Sequence, residues 1–193
     1  PVLICGIINQ VFLEDFNWKK FLKNLGLGIV AILMIGVLMM PFGFSQALNQ
    51  YTGTLKSYEF ASINAYNFWN MLGHNWASQY DKLLGIQYKT WGSIAIVLTV
   101  IISLIISFRC RKNAGKYYFI GGFVVTTVFM FAVRMHERYL FPAMVMFLLA
   151  FAVRRRKEIY ILYTLICTVA FYNAAHVLFV YDNTNFNSKA PIP

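Results

Sequence analysis

The chain has 193 residues, of which 59% are hydrophobic, 18% aromatic and only 12% charged, and its mean hydropathy is +0.58. That balance argues against a soluble domain and for an all-α integral membrane protein, a single transmembrane domain over residues 1–193. The net charge of +10 does not point to nucleic acid, because the cations fall in short clusters between apolar runs and form no continuous basic face.

In chain order, the first run, PVLICGIINQVFL, is about 13 residues and reads as the cytoplasmic half of an interrupted span. It opens on Pro1 and offers no signal peptide, so the chain is expected to be the C-terminal portion of a longer one. Leu25 to Phe44 supplies the roughly 20 apolar residues that a helix needs to cross a bilayer core. An outer loop, residues 45–90, follows. Its stretch ASINAYNFWNMLGHNW, Ala61 to Trp76, mixes Tyr66, Phe68, Trp69 and Trp76 with Asn64, Asn67, Asn70 and Asn75. The mixture suits an interfacial helix or lipid-level cap, with the wall of a sugar or lipid site as the second reading.

Gly92–Phe108 and Tyr117–Val133 are the next spans, and in the latter Gly121-Gly122 suits close helix packing. Leu140–Val153 is short, about 21 Å as a helix. The last span runs from Ile159 to Tyr181. Charge decides whether the short run crosses. Lys19, Lys20, Lys23, Arg109, Arg111, Lys112, Lys116, Arg154, Arg155, Arg156 and Lys157 all fall on one side if it does, leaving Lys56, Lys82, Lys89, Arg134, Arg138 and Lys189 for the other. The positive-inside rule then makes the first side cytoplasmic. The short run is therefore read as a fifth crossing, near 138–157, with Pro142 in its first turn and its basic ends snorkelling. Five complete helices plus part of a preceding one are expected, with the outer loop, the turn at Arg134–Tyr139 and the tail from Asp182 extracytoplasmic.

That turn, RMHERY, sets two guanidiniums, an imidazole and a carboxylate at a membrane edge. Ionisable groups so placed are costly and mark candidate sites. As a helical extension, Arg134 and Arg138 at i and i+4 would share a face and could hold phosphate oxygens, with His136 as a further donor and Glu137 as orienting group. The plainer alternative pairs Arg134 with Glu137 at i and i+3 and leaves His136 and Arg138 among headgroups. Asn173 and His176, i and i+3 on the last span, either line the same cavity together with Tyr139, Trp69 and Trp76 or act as interhelical hydrogen-bond glue. Cys5, Cys110 and Cys167 lack CxxC spacing, and His74, His136 and His176 lack ligand spacing, so neither a disulfide framework nor a metal is expected. Nothing suggests a cofactor.

MHERYLFPA, Met135 to Ala143, together with SINAYNFWNMLG, Ser62 to Gly73, resembles the C-terminal part of bacterial membrane proteins related to the GPI mannosyltransferase II family, within the GT-C superfamily. The resemblance covers Tyr51 to Tyr181 in outline, and MHERYL is its specific element. It implies transfer of a sugar, such as mannose, from a polyprenyl-phosphate carrier to an extracytoplasmic glycan, lipid or protein acceptor at a bacterial plasma membrane. Arg134, His136 and Arg138 would then contact the donor phosphate. The family's catalytic acidic residue lies in a first outer loop near the N-terminus. The outer acidic residues here, Glu59, Asp81 and Glu137, do not stand in that context, and Glu137 is the remaining candidate. Readings from other classes are a transporter or lipid flippase and a non-catalytic scaffold subunit of an envelope assembly.

Overall fold

The structure is a computed structural model that describes residues 18–110, 113 and 115–181. The apolar run before Trp18, Cys5, Arg111, Lys112 and the tail from Asp182 lie outside the described residues. The chain is mostly helical and divides into two units, one ending at Tyr58 and one beginning at Glu59.

In the first unit α1 spans Trp18–Met39, a 3-10 turn spans Met40–Phe42, and α2 spans Phe44–Ser57. Pro41 has no N–H to continue the helix, and Gly43 at φ +72° turns the chain into α2. The helix thus begins two turns before the expected span and stops short of Phe44. Apolar side chains lie exposed all around α1, from Leu25 and Ile32 to Leu38, as suits a helix whose solvent is hydrocarbon. The outer loop is not wholly a loop. Its first part is α2, in which Phe44, Leu48 and Tyr51 recur at helical spacing.

The second unit begins with a cap. β1 (Ser62–Ile63), one turn of helix α3 (Phe68–Met71) and the hairpin β2 (Lys82–Leu83) to β3 (Ile86–Gln87) lead into α4, Tyr88–Arg109. Then come α5, Lys116–Phe131; β4, Met135–His136; a 3-10 turn, Glu137–Leu140; α6, Phe141–Arg154; and α7, Lys157–His176, closed by a π turn at Val177–Tyr181. Successive helices pack antiparallel. Gly92 at the start of α4 lies so close to the end of α5 that a Cβ there would stand 3.2 Å from the Val133 nitrogen. Gly122 of α5 faces the Phe147 ring of α6 at 2.8 Å from the same construction, and Phe151 of α6 meets Tyr160 of α7. The main core, Phe129, Leu140, Ala143, Phe147, Ile166 and Ala170, lies among α5, α6 and α7.

Three helical segments, Phe21–Phe42, Tyr88–Arg109 and Lys157–Phe179, are long and apolar enough to cross a membrane, which makes this a membrane-embedded protein. α5 has 16 residues and α6 has 14. The 3-10 turn feeds α6 directly with Pro142 in the first helical turn, so the element from Glu137 to Arg154 extends about 29 Å. Within this unit Arg109, Lys116 and the basic turn Arg154–Lys157 lie at the end of the bundle opposite the cap.

The stretch Ala61–Trp76 is a folded cap that contains one turn of helix, α3, rather than a longer interfacial helix. Ala61, Ser62, Ile63, Ala65, Asn67 and Trp69 are buried, and a second core of Ala61, Trp69 and Tyr88 anchors the cap to α4. Strand pairing and side-chain amides satisfy the backbone, which lets Trp69 be buried while Tyr66, Phe68 and Trp76 stay half-buried.

Candidate functional site

RMHERY is not a helical extension, so Arg134 and Arg138 do not share a helix face. α5 ends at Phe131, Ala132 is extended, and Arg134 adopts the left-handed region at φ +65°. This conformation costs an L-residue about 1 kcal/mol or more and persists only where surroundings enforce it. They do so here. The Arg134 amide donates to the Phe60 carbonyl (3.0 Å) and its Nε donates to Gln79 Oε1 (3.0 Å). The chain then runs parallel to β1, with Met135 opposite Ser62 and His136 opposite Ile63, joining segments more than 70 residues apart.

Gln79 is the residue that sequence reasoning missed. Its side chain is fully buried, its amide donates to the Glu59 carbonyl, and its own carbonyl accepts from the Lys89 amide. Among the described residues Nε2 finds no hydrogen-bond partner. A lone Gln in a loop carries no pattern that would have singled it out.

Four neighbours of Arg134 stay together on the turn. Glu137 receives Arg138 Nη1 on Oε1 at 3.5 Å and stands with Oε2 3.9 Å from His136 Nδ1. The i, i+3 pair expected of Glu137 and Arg134 is therefore replaced by adjacent partners. His136 is buried and meets Tyr139 edge to face at 5.2 Å, while the Arg138 guanidinium lies 5.9 Å from the same ring. The Arg138 side chain is 61% exposed, so the cluster presents one solvent-facing guanidinium. Burial first, then the Arg138 charge, lower the His136 pKa below 6.5, against a smaller opposite pull from Glu137. His136 thus stands neutral at pH 7 and offers one N–H rather than a charge.

This shift carries a stability consequence. The unfolded chain binds the proton more readily, so the contribution of neutral His136 is fully present above pH 6.5 and is lost as the pH falls through the folded value. Melting temperature in detergent should therefore drop on acidification below 6.5, and His136→Gln should flatten that part of the profile. Parallel acid profiles for both proteins would contradict it.

Asn173 reaches the cap from α7. It is fully buried, its Oδ1 accepts from the Tyr66 amide (2.9 Å), and its Nδ2 donates to the Asn64 carbonyl (2.7 Å). Both polar groups are thus spent on backbone, the glue role rather than a cavity wall. His176 lies beside Tyr66 and Tyr172, at centroid distances of 5.6 and 6.4 Å. Trp76 donates to Asn64 Oδ1, which also accepts from Asn75 Nδ2, and Asn67 caps α3 by accepting from the Asn70 amide. Much of the asparagine content of the loop is thus structural.

Trp69 is buried, and its indole N–H donates to the Phe131 carbonyl (2.9 Å) at the end of α5. It also lines an apolar groove of about 470 Å³ that runs from Phe68 and Trp69 past Trp91 and down α4 through Leu98 to Ile102. The Thr99 and Thr127 hydroxyls in the groove are engaged by carbonyls of their own helices. Its chemistry suits a hydrocarbon chain. Among the described residues no group of three His, Cys, Asp or Glu could hold a metal ion. No protein family, curated protein or solved structure matches the chain.

Proposed function

We propose that the protein is a lipid-carrier-dependent glycosyltransferase that moves a sugar, such as mannose, from a polyprenyl phosphate to an extracytoplasmic acceptor. The observation that carries this reading is an apolar groove and a cationic turn at the cap end of one bundle. Phe131 lines the groove, and Arg134, His136 and Arg138 follow within seven residues. A polyprenyl-phosphate sugar is similarly divided into a long hydrocarbon and an anionic head at headgroup depth.

In this reading the groove takes the first isoprene units, and the turn takes the phosphate. Arg138 supplies an exposed guanidinium to the leaving phosphate as its charge grows, Arg134 a second one held in place by Gln79, and His136 a neutral donor. Glu137 orients Arg138.

α1, α4, α5, α6 and α7 each cross in this proposal, at a bacterial plasma membrane, with the basic turns cytoplasmic and the cap outside. A single cysteine at Ser78 should then react with an impermeant thiol reagent added to intact cells, and one at Asn113 should not. The reverse pattern would invert the topology and remove the site from the outer face. For the chemistry, the full-length protein in a bilayer should release polyprenyl phosphate from a polyprenyl-phosphate sugar only when an acceptor is supplied. Solute movement across sealed vesicles without sugar transfer would identify a transporter instead.

A further inference from the structure

We propose that the end of the bundle opposite the cap is a binding site for a phosphate group, carried by the headgroup of an anionic lipid. A cavity of about 320 Å³ opens there among α4, α5, α6 and α7. Among the described residues Lys116, Arg154 and Arg156 line it with one carboxylate, Glu158, so that lining is net positive. Glu158 is engaged with Arg156 at 3.5 Å.

Lys116 is the informative cation. Its residue is only 4% exposed, and its Nζ donates to the Ser107 carbonyl at 3.4 Å and stands 4.8 Å from the Tyr117 ring centroid. An ammonium held so deep at a cavity wall is stabilised by an anion in that cavity. Arg154 is shaped toward the same space. A Cβ at Gly115 would stand 2.9 Å from Arg154 Cγ and 3.2 Å from Val153 Cγ1, so the missing side chain lets the arginine stem lie against the start of α5. α5 and α7 both begin at this end, and their positive dipole ends add to the field.

Phe119 and Ile159 distinguish the occupant. They give the same cavity apolar walls, which a free anion does not use and which the glycerol and upper acyl carbons of a phospholipid do. Basic pockets between membrane helices on the side of the basic loops hold phospholipid headgroups in this way. The inference does not depend on the transferase reading, because it uses none of the cap residues.

The test uses the full-length protein purified in neutral detergent, titrated in parallel with phosphatidylglycerol, phosphatidylcholine and inorganic phosphate. Lipid retained through gel filtration and the melting temperature are measured together. Phosphatidylglycerol should be retained and should raise the melting temperature, phosphatidylcholine should not, and Lys116→Met and Arg154→Gln should each weaken retention about fivefold. Gly115→Ala keeps every charge but displaces the Arg154 stem, so weaker retention in it separates a built site from general attraction to a basic surface. Lys82→Gln, at the cap end, should leave retention unchanged. A rise with inorganic phosphate equal to that with phosphatidylglycerol would keep the phosphate site but overturn the lipid as its source. Equal retention in wild type and all three site variants, or no preference over phosphatidylcholine, would overturn the site itself.

Discussion

Arg138→Ala should lower sugar transfer about 100-fold or more in the full-length protein while leaving the melting temperature close to wild type. The expected size follows from loss of one charge-assisted donor to a group that gains negative charge in the transition state, an effect of roughly 2.7 to 4 kcal/mol in a water-poor site. An exposed guanidinium is screened until ligand covers it, so the effect should appear in turnover and not in the stability of the empty protein. The side chain is 61% exposed and among the described residues engages Glu137 and the Tyr139 ring, so its removal costs little folding energy. Arg134→Ala is the contrasting case. It removes the donor to Gln79 Oε1, leaving a buried amide poorly satisfied, so activity and melting temperature should fall together. Arg138→Lys should recover part of the rate, because an ammonium replaces the charge but not the planar fork. If Glu137 only orients Arg138, Glu137→Gln should reduce the rate modestly. A loss as deep as that of Arg138→Ala would make the carboxylate a participant in the chemistry. Initial rates against donor concentration give all of these values, and near-normal rates in both arginine variants would return the turn to a snorkelling helix end.

The largest stability effect is expected at Asn173. Replacing it by Ala removes its bonds to the half-buried Tyr66 amide and Asn64 carbonyl, each worth about 1 kcal/mol or more, and opens a cavity between cap and α7 where Asn173 itself is fully buried. The combined loss is about 2 kcal/mol or more, large against the total stability of a domain. Asn173→Leu fills the volume but not the hydrogen bonds, so it should recover only the cavity part. Because the Asn64 carbonyl and the Asn75 and Trp76 contacts to Asn64 Oδ1 belong to one cluster, loss of Asn173 should also expose the cap to protease before the helices melt. Thermal melting with limited proteolysis in detergent reads both effects. A melting temperature within a degree of wild type in Asn173→Ala would show that the cap is held by other contacts.

The two predictions rest on different kinds of information. RMHERY was legible as a charged interruption between apolar runs, because the cost of charge in hydrocarbon is local and appears in any hydropathy window. Its conformation was not legible. Helical spacing suggested a shared face for Arg134 and Arg138, whereas pairing with Ser62 and Ile63 pulls the segment into a strand and Arg134 into a left-handed turn. A strand of two residues has no periodicity to detect, and its partner lies more than 70 positions away. A separation of 55 residues likewise hid the bond from Arg134 to Gln79.

Membrane embedding, the approximate places of the three long apolar helices and the gathering of cations in short clusters were legible in the chain itself. These properties depend on transfer free energy summed along the chain, and Pro41 and Pro142 mark helix boundaries through their own covalent geometry. Only the tertiary structure decided that the aromatic loop is a folded cap with Trp69 in its core, that Asn173 is spent on backbone, and that Gln79 holds Arg134. Those outcomes turn on which distant donor meets which buried acceptor. Unsatisfied polar groups are too costly to leave, but composition alone does not say where their partners will be.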